Sequence, residues 1–217
     1  MAHDAKHAEA PQTAGRTIRS WARFYDAASW LLSFGRSPAI RRMTLEMADA
    51  KPGESVLDVG CGTGSLALAA KAAVGREGSV RGIDASPEMI EQARRKAAKA
   101  GAETDFRVAL IEELPFGEAE FDLVLSSFML HHLPDGVKRR GLAEVRRVLK
   151  PGGRFLAVDF GGTSQSVTGH MLSVLGHSHG HASLDALAPA MEAAGFTDVE
   201  TGVTKYRSVS YLRGKAG

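Results

Sequence analysis

The chain predicts an α/β fold, a three-layer sandwich whose sheet is mostly parallel with one antiparallel strand near the C-terminus. Three observations predict it. From about residue 55, short apolar runs alternate with longer amphipathic ones, the pattern of strands joined by helical crossovers. A glycine-rich stretch, Gly60-Cys61-Gly62-Thr63-Gly64, lies between the first apolar run and the first amphipathic one. Toward the C-terminus the pattern changes to two extended runs, Val199 to Leu212, broken near Lys205, which reads as a hairpin.

Taken in order, residues 1–20 are polar and small, with Pro11 and Gly15, and are expected to form a loosely held tail. Residues 21–50 turn helical. Trp21, Phe24, Tyr25, Ala28, Leu31 and Leu32 recur at three- and four-residue steps, Gly35 and Pro38 interrupt, and Ile40, Met43, Leu45 and Met47 resume. The expectation is two helices that lid the main domain, residues 51–217. In that domain Val56–Val59 is the first strand and Gly64–Val74 the first helix. Ser79–Ile83 is the second strand. Ser86 can cap the next helix, with Pro87 at its first position and Gly101 at its end. Asp105–Leu110 and Phe121–Ser126 are the third and fourth strands. A helix over Val137–Leu149 is stopped by Pro151-Gly152-Gly153, and Arg154–Asp159 is the fifth strand. A helix over Leu184–Ala194 ends at Gly195, and Arg213–Gly217 is expected to fray. Crossovers between parallel strands should be right-handed.

Composition narrows the function classes. Of 217 residues, 44% are hydrophobic and 24% charged, enough to build a core. A formal net charge of +2 is too even to argue for nucleic acid or a membrane surface as partner. Cys61 is the single cysteine, which excludes an intramolecular disulfide and suits a reducing compartment. No apolar run approaches the roughly 20 residues that span a bilayer, and the first residues lack an apolar leader core. A cytoplasmic protein, monomer or homodimer, is expected.

The chemistry sits in Val56-Leu57-Asp58-Val59-Gly60-Cys61-Gly62-Thr63-Gly64. Glycines between a strand and a helix let backbone approach a ligand closely, beside the free N–H groups of the helix start. Asp84, after the second strand, can accept hydrogen bonds from both hydroxyls of a ribose. A nicotinamide dinucleotide and S-adenosylmethionine (SAM) both fit this much. The dinucleotide fingerprint needs Gly-x-Gly-x-x-Gly. Here Gly60, Gly62 and Gly64 are followed by Ser65, Leu66 and Ala67. Asp58 would also repel a pyrophosphate, whereas it suits a ligand carrying an ammonium and a sulfonium. The pattern therefore favours SAM.

Asp58 to Gly64 resembles motif I of the class I SAM-dependent methyltransferases, and Gly82-Ile83-Asp84-Ala85-Ser86 resembles their motif II. Glu112-Glu113-Leu114-Pro115-Phe116 with Phe121-Asp122-Leu123-Val124 is similar to the third and fourth motifs. His131-His132-Leu133 and Leu149-Lys150-Pro151-Gly152-Gly153 complete a methyltransferase type 11-like pattern from about Gly53 to Asp159. Arg23-Phe24-Tyr25-Asp26 and Leu32-Ser33-Phe34-Gly35 are similar to the N-terminal segment of ubiquinone/menaquinone-type C-methyltransferases. The resemblance implies a Rossmann-like fold. It implies that Asp58 and the backbone at Gly60, Cys61, Gly62 and Gly64 hold the methionine part of SAM, and that Asp84 binds ribose. Ala85 and Met89 would flank adenine, Leu110, Ile111 and Glu112 would close its edge, and Ser126 would lie near the sulfonium. One departure stands out. Ala109, Leu110 and Ile111 occupy the place of the family's Gly-Asp-Ala, so the carboxylate contact to the adenine amino group is either missing or supplied by Glu112 or by backbone.

Methyl transfer from a sulfonium needs an acceptor held in line, and a base where the acceptor is protonated at neutral pH. His131 and His132, after the fourth strand, are candidate bases for a phenol or enol. Packing or capping a turn is their alternative role. Tyr25 is a third candidate. Ser126-Ser127-Phe128-Met129 stands where enzymes that methylate exocyclic amines of nucleic acid carry Asn/Asp-Pro-Pro-aromatic, which argues against that substrate class. Trp21, Phe24, Trp30, Phe34 and Met171 point to a small, partly apolar acceptor methylated on carbon or oxygen. His177, His179 and His181 read as a polar loop rather than a metal site, and no metal is expected. Arg139, Arg140, Arg146 and Arg147 read as the solvated face of a helix. A SAM-binding protein that transfers no methyl (a cyclase-like catalyst or a binding module), and a dinucleotide oxidoreductase, are the competing readings.

Overall fold

The structure, a computed structural model, describes residues 37–161, 184–206 and 208–217. The tail over residues 1–20, the first lid helix with Tyr25, and the segment with His177, His179 and His181 lie outside these. The elements are α1 (Ser37–Met47), β1 (Ser55–Val59), α2 (Ser65–Val74), β2 (Ser79–Asp84), α3 (Pro87–Ala100), β3 (Asp105–Val108), β4 (Phe121–Ser127), α4 (Asp135–Val148), β5 (Leu149–Phe160), α5 (Ala188–Ala193), β6 (Phe196–Val203) and β7 (Val209–Ala216). They build a seven-stranded sheet of order β3-β2-β1-β4-β5-β7-β6. Strands β3 to β5 pair in parallel, and β7 runs antiparallel to both of its neighbours, β5 and β6. The expected Rossmann-like sandwich with one antiparallel strand is therefore present. Among the described residues no helix is long and apolar enough to cross a membrane.

Two apolar cores cover the two faces. Leu57, Val59, Ile83, Val124, Phe155 and Ala157 pack with α4, α5 and the loop Ile111–Phe116. Val56, Val80, Leu123, Leu125, Leu156 and Val158 pack with α1, α2 and α3. Side chains alternate between faces with a period of two, so central strands buried on both sides are apolar at nearly every position. Strand order reverses between β1 and β4, and at such a switch the loops after the carboxyl ends of the strands part to leave a crevice.

Local chemistry sets the helix ends. The Ser86 side chain accepts from Met89 N–H, Pro87 sits in the first turn, and Gly101 closes α3 with a φ of 60°. Arg94 donates to the Phe106 carbonyl, tying α3 to β3. At the other end of the sheet, Arg154 donates to the Ala48 and Asp49 carbonyls and pairs with Glu54, which anchors the end of α1 under β5.

Four expectations need correction. Arg213–Ala216 does not fray: it continues β7, where Leu212, Gly214 and Ala216 turn inward against elements that include Met191 of α5. Strand β5 begins at Leu149 rather than Arg154, because a register shift between Phe121 and Leu123 lets Leu149-Lys150-Pro151-Gly152-Gly153 join the ladder. The helix expected over Leu184–Ala194 is a 3-10 turn, Leu184–Leu187, followed by α5, which restarts with Pro189 in its first turn. Finally, only Arg139 and Arg140 form an exposed face. Arg146 donates to the Gly195 and Gly217 carbonyls. Arg147 donates to the Leu114 and Phe116 carbonyls and to Glu144, which in turn accepts from Leu114 N–H.

This clamp sets the loop before β4. The Arg147 guanidinium holds the Glu144 carboxyl below the usual carboxylate range. Arg147→Ala strands two half-buried carbonyls and one carboxylate, so we expect a loss of about 2 kcal/mol, or about 6 °C in Tm, by calorimetric melting. A melt unchanged within a degree would show the clamp to be ornamental.

Candidate functional site

The site grows from the end of β1. Asp58 is 0% exposed in the middle of the sheet, and neither carboxylate oxygen completes a hydrogen bond among the described residues. Burial pushes its pKa up to about 7; the Ala67 amide, close but outside hydrogen-bond geometry, opposes this, and the Asp84 charge adds to it. A buried carboxylate without donors is costly, and a ligand bringing N–H donors relieves that cost.

The turn that follows is held from behind. Gly60 and Cys61 N–H groups both donate to the Ile83 carbonyl, and Gly64 N–H donates to the Cys61 carbonyl. Asp84 accepts from Gly62 N–H at 2.9 Å through one oxygen and from Ser86 N–H at 2.9 Å through the other. Gly60, Gly62 and Gly64 all have positive φ, at 72°, 52° and 75°. A side chain at Gly60 would also collide with Met129, whose Cγ lies 2.3 Å from where a Cβ would sit. The Gly60, Cys61, Gly62 and Gly64 amides are thus spent within the protein, which leaves the Asp58 carboxylate as the turn's unmatched polar group. It is an acceptor, the complement of an ammonium and the opposite of what a pyrophosphate requires. The donor set fits SAM and not a dinucleotide. Burial pushes the Asp84 carboxyl up, partly offset by the Ser86 and Gly62 amides. Each Asp84 oxygen keeps acceptor capacity beyond its one amide. Cys61 turns its side chain into the second core, where burial pushes the thiol well above its ordinary value. It shapes the loop and is not a nucleophile.

The opposite wall comes from the ends of β4 and β5. Ser126 is buried, and its hydroxyl has no partner among the described residues. Phe128 adopts a φ of 54°, rare for a non-glycine residue. Its ring meets Phe160 at 4.8 Å between centroids. The 3-10 turn Leu130–His132 then brings His131 against β5. His131 Nδ1 lies 2.6 Å from Asp159 Oδ1, and His131 backbone N–H donates to Asp159 Oδ2 at 3.0 Å. The His131 ring lies 3.8 Å from His132 and 5.2 Å from Phe160, centroid to centroid. Phe160 itself is 58% exposed, so an apolar ring lines the lip beside the histidines.

The structure brings Asp58, Gly60, Gly62, Gly64, Asp84 and Ser126 together with His131 and His132 at one sheet edge. Ala85 is half-buried between Asp84 and Ser86, and Met89 is buried in the first turn of α3. Leu110 pairs with Glu113 across a small turn that leaves Glu112 half-buried. Ile111 turns its side chain away into the first core, packed under Gly141 of α4. Tyr25 lies outside the described residues. Asp159, Phe128, Met129 and Phe160 are absent from the sequence-derived set. Asp159 carried a legible signal: like Asp84, it is an acidic residue closing an apolar strand run.

Comparison with known proteins follows the same lines. Residues 56–153 match the family model described as a methyltransferase domain. The demethylmenaquinone methyltransferase of Bacillus cytotoxicus is 37% identical over 139 residues, which cover 62% of this chain and 56% of that protein. The chain thus spans about half the length of the curated relatives it matches. Among solved structures, a SAM-dependent methyltransferase from Aquifex aeolicus superposes with a TM-score of 0.68 at 22% identity, over 82% of this chain and 89% of that one. The [4+2]-cyclase SpnF superposes with a TM-score of 0.67 at 20% identity, over 82% of this chain and 80% of that one. At such identities the likeness is one of fold, and the fold alone serves more than one reaction. The matched domain, the glycine turn and the strand order agree: residues 56–153 are similar to a methyltransferase domain, and the chain has the fold of solved SAM-dependent methyltransferases.

Proposed function

We propose that this chain transfers a methyl group from SAM to a carbon or oxygen of a small, partly apolar molecule. The observation that carries it is the buried, donor-less Asp58 carboxylate at the glycine turn, a built receptor for an ammonium. The half-exposed aromatic lip of Phe128 and Phe160 supports an apolar acceptor. Similarity to demethylmenaquinone methyltransferases supports one of quinone type.

When bound, SAM supplies a methyl group already activated on a sulfonium. Asp58 and the turn carbonyls would hold the ammonium, and Asp84 the ribose hydroxyls. Ala85, Met89, Leu110 and Glu112 would line the adenine end, and Ser126 the sulfonium end. The chain's remaining tasks are to orient the acceptor, exclude water and take one proton. His131 would take that proton from the acceptor O–H or C–H, whose electron pair would then receive the methyl group, with the thioether as the leaving group. We read Tyr25, outside the described residues, as contacting the acceptor, and the protein as a cytoplasmic monomer or homodimer acting on a small molecule rather than nucleic acid.

Calorimetric titration with S-adenosylhomocysteine tests the reading. Binding to the wild type, weakened about 30-fold in Asp84→Ala, is expected from the loss of charge-assisted bonds to ribose. Preference for NADH would overturn it. Binding of the homocysteine product without transfer of radiolabelled methyl to any quinol, phenol or enol would point instead to a SAM-binding protein of another kind.

A further inference from the structure

We infer that Asp159 is a positioning residue, which locks His131 in the Nδ1–H tautomer and so makes Nε2 its proton-accepting nitrogen. The inference deepens the reading of His131 as the base and rests on it for its role in catalysis, though not for the tautomer itself.

Three donors converge on one carboxylate. His131 Nδ1 meets Oδ1 at 2.6 Å, Phe160 backbone N–H donates to the same oxygen at 2.7 Å, and His131 backbone N–H donates to Oδ2 at 3.0 Å. Two of these are main-chain N–H groups and can only donate, so the group facing them must only accept. An ionised carboxylate does so, and it imposes the same condition on the ring: Nδ1 must carry the hydrogen. In the neutral imidazole the lone pair then belongs to Nε2. Because backbone N–H and ring Nδ1 of one residue are gripped by the two oxygens of one side chain, ring orientation is set as well as tautomer. Asp159 itself cannot move: it is 2% exposed, in a central strand whose backbone pairs with β4 and β7. The ring edges of His132 and Phe160 flank the imidazole and limit its tilt.

The placement also answers why an acid stands here. Asp159 stands near the carboxyl end of the apolar strand β5, as Asp84 stands at the end of β2. Asp84 grips one amide of the cofactor turn, Gly62, and the Ser86 amide at the start of α3, and Asp159 grips the histidine turn on the facing wall. Asparagine at 159 would present an amide NH2 to at least one of the three donors. At the Oδ1 position that NH2 meets Phe160 N–H and at the Oδ2 position it meets His131 N–H, so neither orientation satisfies all three donors, and the charge that holds the hydrogen on Nδ1 is lost.

The test is long-range proton–nitrogen NMR on protein with 15N-labelled histidine, at a pH where the imidazole is neutral, with His131→Gln assigning the signal among the eight histidines. The wild type should show Nδ1 protonated and Nε2 bare. Asp159→Asn should lower the Nδ1–H to Nε2–H ratio by about tenfold or more, the worth of a charge-assisted hydrogen bond. A wild type with hydrogen on Nε2, or a ratio unmoved in a folded Asp159→Asn protein, overturns the inference. If the variant does not fold, the wild-type spectrum alone decides. The spectra are recorded without SAM, so failure of the proposed methyl transfer leaves this result standing, and failure of this result leaves cofactor binding untouched.

Discussion

Asp58→Asn is expected to weaken S-adenosylhomocysteine binding about 100-fold and, in the same protein, to abolish a pH-dependent loss of stability. The two effects share one cause. Asp58 is a carboxylate kept out of water with no completed hydrogen bond among the described residues, and burial raises its pKa to about 7 from an ordinary 3.8. Between those values the folded protein holds a proton that the unfolded chain has released. Stability therefore falls as pH rises through the window and levels off above about pH 7. From about pH 5 to about pH 8 this single group accounts for a loss of about 3 kcal/mol. Asparagine does not titrate, so the difference between the two proteins in urea unfolding at these pH values isolates it. Ligand binding has the opposite dependence. The ammonium needs the ionised form, so affinity in the wild type should fall about tenfold per pH unit below about pH 7 and stay flat in the variant. Parallel stability curves for the two proteins would mean that Asp58 is ionised and satisfied, and that the receptor is not there.

Gly60→Ala should cost about 3 kcal/mol and weaken S-adenosylhomocysteine binding with it. A positive φ of 72° charges any L-residue about 1 kcal/mol or more, and the new methyl group would overlap Met129 Cγ. Gly101 serves as control. It too has positive φ, 60°, but nothing lies within 4 Å of a Cβ there, so Gly101→Ala should cost only about 1 kcal/mol. The excess at Gly60 is the collision with Met129, and Met129→Ala in the Gly60→Ala background should recover most of it. Equal losses at the two glycines would remove Met129 from the wall of the cofactor turn.

Much of this was legible in the amino-acid order. Glycines at 60, 62 and 64 behind an apolar strand, Ser86-Pro87 before a helix and Gly101 after it are local signals, and the structure uses each where it stands. Asp84 was legible because its partners, Gly62 and Ser86, are loop amides that any chain with this β-α-β order brings to it. Asp159 was not legible as a partner of His131, because the pair lies 28 residues apart and is joined only when β5 settles beside β4. Arg147 misled for a related reason. Helical periodicity placed it on a polar face, and only the loop Leu114–Phe116, folded across that face, turns a solvated cation into a clamp.

By itself, then, the sequence determined the alternation of strand and helix, the cofactor turn and the acidic residue that braces it, because periodicity, capping and backbone freedom act over a few residues. The tertiary structure alone decided which carboxylate is left without donors, that the loop amides are spent inward, and that His131 is gripped by Asp159. Those depend on desolvation and on hydrogen bonds between strands far apart in the chain, and neither exists until the sheet has closed around them.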